Sequence, residues 1–191
     1  MNQQHIDYKV VSNPKIRRWF AAAFRSAQHT PMMHGLIEVD ATRARAFLRD
    51  HKAKTGESLS FTAFLIACLA KAVDENKAVQ AFRKGSKNLV LFEDVDVYTL
   101  IERNVAEQKQ IIPYTIRAAN RKTVRELHHE IRAAQAEDVE KVLTWLQFLP
   151  DVLFRPFFWA FSWIGRRHPQ VWKHYVGTVQ AGAFLQPSQY S

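Results

Sequence analysis

The sequence predicts an α/β domain built on a mixed sheet. Two observations carry this: strand and helix periodicities follow one another along the chain, and their connections vary in length. The clearest instance is "KQIIPYTIRAANRKTVREL", residues 109–127. Ile112, Tyr114 and Ile116 alternate there with Ile111, Pro113 and Thr115, a strand apolar on both faces. Pro113 cannot donate to a ladder, so this strand belongs at a sheet edge or carries a bulge. Thr123 precedes Glu126 by three positions, a capping box, and Val124, Leu127, Ile131 and Ala134 form the stripe of a helix.

The remaining elements follow in order. Asn13 and Pro14 start a helix over 14–28, with Ile16, Trp19, Phe20, Ala23, Phe24 and Ala27 at helical spacing. A strand is expected over 32–39. Asp40 then caps a helix over 41–54, with Ala44, Phe47 and Leu48 inward. Ser60 opens the longest helix, ending near Asn76, with the stripe Phe61, Phe64, Leu65, Cys68, Leu69 and Ala72. On that stripe Cys68 reads as a buried, inert thiol. Short extended pieces flank the "RKGSK" turn, a strand covers 94–101, and "RNVAEQ" connects it to the strand over 110–117 and the helix over 123–137.

Residues 142–164, "VLTWLQFLPDVLFRPFFWAFSWI", differ from all that precedes them. Pro150-Asp151 and Arg155-Pro156 break the apolar run, so neither piece reaches the ~20 residues that span a bilayer. Two short helices with an aromatic face are expected. Packing on the domain or on a neighbouring subunit ranks above an interfacial membrane contact beside "GRRHPQVWKH".

Composition narrows the classes. One cysteine in 191 residues excludes an internal disulfide framework, and no Cys/His spacing fits zinc. The net charge of +9 favours anionic partners, yet it is scattered and accompanies no nucleic-acid motif, so no nucleic-acid partner is expected. The N-terminus has no apolar h-region, which makes a cytoplasmic protein the simplest expectation, with peripheral membrane attachment as the variant. Local chemistry is sparse. His128 and His129 are adjacent, point about 100° apart on a helix and read as solvated residues. Asp94 and Asp96 share a strand face, as a metal pair or, more often, a solvated edge. His34 sits in an otherwise apolar strand, where a histidine is usually a core or rim residue.

The order of segments says more. "SNPKIRRWFAAAFRSAQHTP", "GLIEVDATRARAFLRD", "SLSFTAFLIACLAKAVDENKAVQAF", "FEDVDVYTLIE" and "IIPYTIRAANRKTVRELHHEIRAAQ" together resemble the catalytic domain of the dihydrolipoamide acyltransferases of 2-oxoacid dehydrogenase complexes. The likeness runs unbroken over roughly residues 9–138 and resumes weakly at "VGTVQAGAF". The resemblance implies a two-layer α/β sandwich with a mixed sheet, like chloramphenicol acetyltransferase and incomplete at the C-terminus. Residues 1–191 would then be one acyltransferase-like domain, with 142–175 an inserted aromatic hairpin.

The same resemblance implies a homotrimer, an active site in a channel between subunits, coenzyme A as the acyl-CoA substrate, a thiol acceptor and no metal. The family's general base is a histidine in a C-terminal His-x-x-x-Asp-Gly motif, and a Ser or Thr of "GTFTISN" donates to the oxyanion. This chain contains no His-x-x-x-Asp-Gly, and none of its eight histidines falls in that context. "GTVQAGAF" keeps Gly177 and Thr178, while the serine position has no counterpart. The catalytic residues are therefore unassigned. His34 is held in reserve, because its strand resembles the acceptor-pocket strand of chloramphenicol acetyltransferase. Met32, His34 and Thr178 are the substrate-channel candidates. Two functions follow: thioester-dependent acyl transfer, or a catalytically inactive assembly or membrane-associated module.

Overall fold

The structure, a computed structural model, describes residues 15–27, 35–85, 87–105, 108–137 and 150–182. Three helices come first: α1 (Lys15–Ala27), α2 (Thr42–Thr55) and α3 (Phe61–Glu75). A small hairpin of β1 (Phe82–Lys84) and β2 (Asn88–Val90) leads to a long one of β3 (Val97–Val105) and β4 (Gln108–Ile116). Then follow α4 (Val124–Ala136), α5 (Phe154–Arg167), α6 (Pro169–Val176) and β5 (Val179–Ala181). The main sheet has the order β4-β3-β5, with β4 antiparallel and β5 parallel to β3, so it is mixed as the unequal connections predict.

Pro113 lies on β4, the outermost strand, opposite Leu100. A missing donor there faces away from the ladder at little cost. The polar run taken as a connection behaves differently: residues 103–105 continue β3, in register with 108–110. Composition reads such a run as a loop, but antiparallel pairing needs only main-chain groups and a tight turn.

The core forms where α3 and α4 cover the sheet. Val95, Val97, Ile101 and Ile116 meet Ala63, Ile66, Ala70 and Val73 of α3, and Leu127, Ile131 and Ala134 of α4. The α4 stripe matches the sequence expectation, and its capping box is complete: Glu126 N donates to Thr123 Oγ1 at 3.2 Å and Thr123 N to Glu126 Oε2 at 2.7 Å. The α3 stripe does not match. Cys68 is exposed and Leu65 largely so, while the buried row is Ala63, Ile66, Ala70 and Val73. A helix apolar on several sides offers more than one stripe, and here the row alternating alanine with Ile66 and Val73 is the one that meets the sheet.

Two further expectations change. α2 buries no residue, and Phe47, expected inward, is exposed and lies tilted against Phe64 at 6.4 Å. In the stretch expected as a strand over 32–39, residues 35–39 join no ladder and are all exposed. Among the described residues, its apolar alternation meets no sheet edge. Residues 32–34, like 142–149, lie outside the described residues.

The aromatic segment is helical with one face turned inward. Pro156 does not break α5, because it falls in the first turn, where an N–H has no helical partner. Phe158 packs edge-on against Trp19 of α1 at 4.9 Å, and Phe154 is buried with it. Gly165 leaves room for the Trp172 ring, which tilts against Phe161 at 5.7 Å and so holds α6 on α5.

Candidate functional site

Asp96, just ahead of β3, is where three parts of the chain are joined. Its carboxylate is almost fully buried. Oδ2 accepts from Arg117 Nη1 at 2.9 Å, and Oδ1 accepts from the main-chain N–H of Ala118 at 2.9 Å. Arg117 Nη1 also donates to Lys173 O at 2.9 Å, and Nη2 donates to His174 O. Those are carbonyls of the last turn of α6, where Lys173 O also accepts the capping N–H of Gly177 at 3.0 Å. One guanidinium therefore ties the end of β4, the start of β3 and the end of α6 together.

Local sequence sets this up. Ala118 is left-handed, with φ 47°, which turns its N–H into the carboxylate. Asn120 Oδ1 accepts from Val95 N at 2.9 Å, and its Nδ2 donates to Asp74 Oδ1 at 2.9 Å, which fastens the turn to α3. Gly177 has φ 73°, and a Cβ there would stand 2.7 Å from Asp96 O, so only glycine fits between α6 and β5. Asp94 and Asp96 do not act as a pair: Asp94 takes Arg121 at 2.5 Å. The reading of Asp96 as a solvated edge fails because Arg117, 21 positions further along the chain, supplies a matching charge.

Of the channel candidates, Met32 and His34 lie outside the described residues. Thr178 stands at the entry to β5. Its N–H donates to Asp96 O at 2.8 Å, and its Oγ1 accepts from Asp96 N at 3.0 Å. The hydroxyl is thus engaged with main chain, setting the register of β5 on β3.

Beside this joint lies an apolar cavity of about 190 Å³, between α3 and the sheet. Thr62, Leu65, Ile66 and Leu69 line it from the helix, Thr99 from β3, and Ala181 and Gly182 from β5. The sequence holds a signal for it: positions 62, 65, 66 and 69 recur at helical spacing on the flank of the buried row. The sequence stripe assigned Leu65 and Leu69 of these to the core and left out Thr62 and Ile66.

The histidine pair separates into two roles. His128, expected in solvent, is buried, and its Nδ1 accepts the main-chain N–H of Ser60 at 3.0 Å. The neutral ring therefore carries its proton on Nε2. Burial, with Arg132 and His129 nearby, pushes the His128 imidazole below its ordinary value. His129 is exposed and lies 2.9 Å from Glu57, which also binds Arg125 at 2.7 Å. The Arg125 hydrogen bond, ahead of the surrounding charges, holds the Glu57 carboxyl below its usual range.

A mixed sheet covered by α3 and α4, closed by a parallel β5, defines the class: the chloramphenicol acetyltransferase-like acyltransferase core. Solved structures with this fold include the truncated catalytic core of the 2-oxoacid dehydrogenase multienzyme complex from Thermoplasma acidophilum. It is 19% identical, with a TM-score of 0.51 over 66% of this chain and 57% of that one. Dihydrolipoamide acetyltransferase from Azotobacter vinelandii is 18% identical, with a TM-score of 0.54 over 69% and 56%. The cubic core of a pyruvate dehydrogenase multienzyme complex is 18% identical, with a TM-score of 0.53 over 70% and 56%. The chain spans little more than half the length of these structures, and at such identity they establish the fold. No curated protein matches the sequence. Residues 6–148 match the 2-oxoacid dehydrogenases acyltransferase (catalytic domain) family, and the chain belongs to that family. The α5–α6 hairpin lies beyond the matched span.

Proposed function

We propose that the chain serves thioester acyl transfer, passing an acyl group between coenzyme A and a thiol acceptor of the dihydrolipoamide kind. The acceptor thiol gives its proton to a base, and its sulfur attacks the thioester carbonyl. The bond from carbonyl carbon to the coenzyme A sulfur then breaks, and that sulfur takes the proton back. The observation that carries this reading is the apolar cavity on the family-matched sheet, walled by Leu65, Ile66 and Leu69 of α3. It suits the hydrocarbon part of a short acyl group.

Binding is the step these residues support. Among the described residues, His128 is spent on Ser60 and the Thr178 hydroxyl on Asp96, so neither serves as the base. General-base catalysis typically supplies ~10²–10⁴-fold. The purified chain is therefore expected to bind acetyl-CoA yet transfer acetyl to dihydrolipoamide no faster than buffer. Calorimetric titration with acetyl-CoA and a free-thiol assay measure the two quantities. Leu69→Trp, which fills the cavity, should abolish binding. Wild-type protein that takes up no acetyl-CoA would sink the reading. Turnover abolished by His34→Ala would instead make His34 the base.

A further inference from the structure

We propose that the outward face of α5 docks in the headgroup layer of an anionic membrane, with the helix lying in the plane of the surface. Arg155, Trp159, Trp163 and Arg167 are spaced four apart and form one row along the helix. Trp159 is 67% exposed and Trp163 52%, and Phe157 and Ile164 are also exposed. The inward face is seated, since Phe154 and Phe158 are buried and Phe158 packs edge-on against Trp19. The helix is thus anchored in the fold while it presents indole rings to the outside.

Charge selects the occupant. From residue 152 to 191 the sequence has no Asp or Glu, Asp151 being the last acidic residue before α5, whereas Arg155 and Arg167 stand exposed at the two ends of the tryptophan row. α1, packed on the inner face of α5, contains no acidic residue either. A second copy laid face to face would set Arg155 and Arg167 against like charges, with a single Asp151 per copy to answer them. Lipid phosphates answer Arg155 and Arg167, and tryptophan prefers the headgroup level, where its apolar ring and N–H are both accommodated. No helix among the described residues is long and apolar enough to cross a bilayer, so the contact is superficial. It holds whether or not the domain moves acyl groups.

Co-sedimentation of the full chain with vesicles tests it. The protein should pellet with phosphatidylcholine vesicles containing about a third phosphatidylglycerol and leave them at high salt. It should ignore pure phosphatidylcholine, and its tryptophan emission should shift to the blue only on binding. Trp159→Ala with Trp163→Ala should lower the bound fraction on the order of tenfold, from the lost apolar area. Arg155→Gln with Arg167→Gln, which touch no core residue, should weaken binding several-fold and flatten its salt dependence. Equal binding to neutral vesicles, or none to anionic ones, overturns the proposal. So does a tryptophan variant that keeps its vesicle binding while a multimer falls apart, for then the face is a subunit contact.

Discussion

Asp96 carries more of the structure than any other single side chain. Its oxygens accept from Arg117 and Ala118, its carbonyl accepts from Thr178 and Val179, and its N–H donates to Thr178. A buried carboxylate is costly unless its acceptor sites are filled, and here the fillers are the groups that join β3, β4 and the end of α6. Asp96→Ala should destabilise the fold by about 2 kcal/mol, the usual cost of losing charged hydrogen bonds. The released guanidinium of Arg117 is 43% exposed and reaches water, which keeps the loss from growing further. Chemical denaturation measures it, and a variant within about 0.5 kcal/mol of wild type would reduce Asp96 to a bystander. The sequence shows "EDVD" and "IRAAN" plainly, but their meeting is a contact across 21 positions, which local periodicity does not encode.

Between elements, the contact of α4 with the start of α3 runs through His128. Only its neutral form accepts the Ser60 N–H, and burial, Arg132 and His129 all oppose protonation, against a weaker pull from Glu57. The folded imidazole therefore titrates below the ordinary 6.5 of the unfolded chain. Stability from this group is complete above that value and is lost as the pH falls below it, levelling off once the folded ring is protonated too. The melting temperature should fall between about pH 7.5 and about 5.5, and His128→Gln, which keeps an acceptor without a titrating ring, should flatten the slope. An identical slope in the variant would place the pH dependence elsewhere. Elements with one apolar stripe and a local cap, such as α4, were legible in the sequence, as was the edge position of β4 from Pro113. Elements apolar on several sides were not. α3 could have faced the core with Leu65 and Cys68, but the row that meets the sheet is Ala63, Ile66, Ala70 and Val73. The cavity was missed for the same reason, since its lining is the rejected flank of that helix.

At the scale of the whole molecule, the described residues leave apolar surface that one chain does not cover. Leu36, Ile37 and Val39 are 102%, 88% and 75% exposed in a stretch with strand alternation and no ladder. Such a segment is a template for pairing with another chain, and proteins seldom leave one bare. Beside it the main sheet ends at β4 on one side and at β5 on the other, so among the described residues both edges are open. A strand of one copy laid on a sheet edge of the next is a heterologous contact, which closes into a ring when the rotation allows. We propose the homotrimer as that ring, with the acyl-binding cavity turned towards the neighbouring copy. Light scattering of the purified chain should then give three chain masses at micromolar concentration. Ile37→Lys sets a charge into the contact while disturbing nothing inside the chain, because its side chain touches no core. It should give a folded monomer with an unchanged circular dichroism spectrum. A wild-type chain that is already monomeric would remove both the ring and the shared channel.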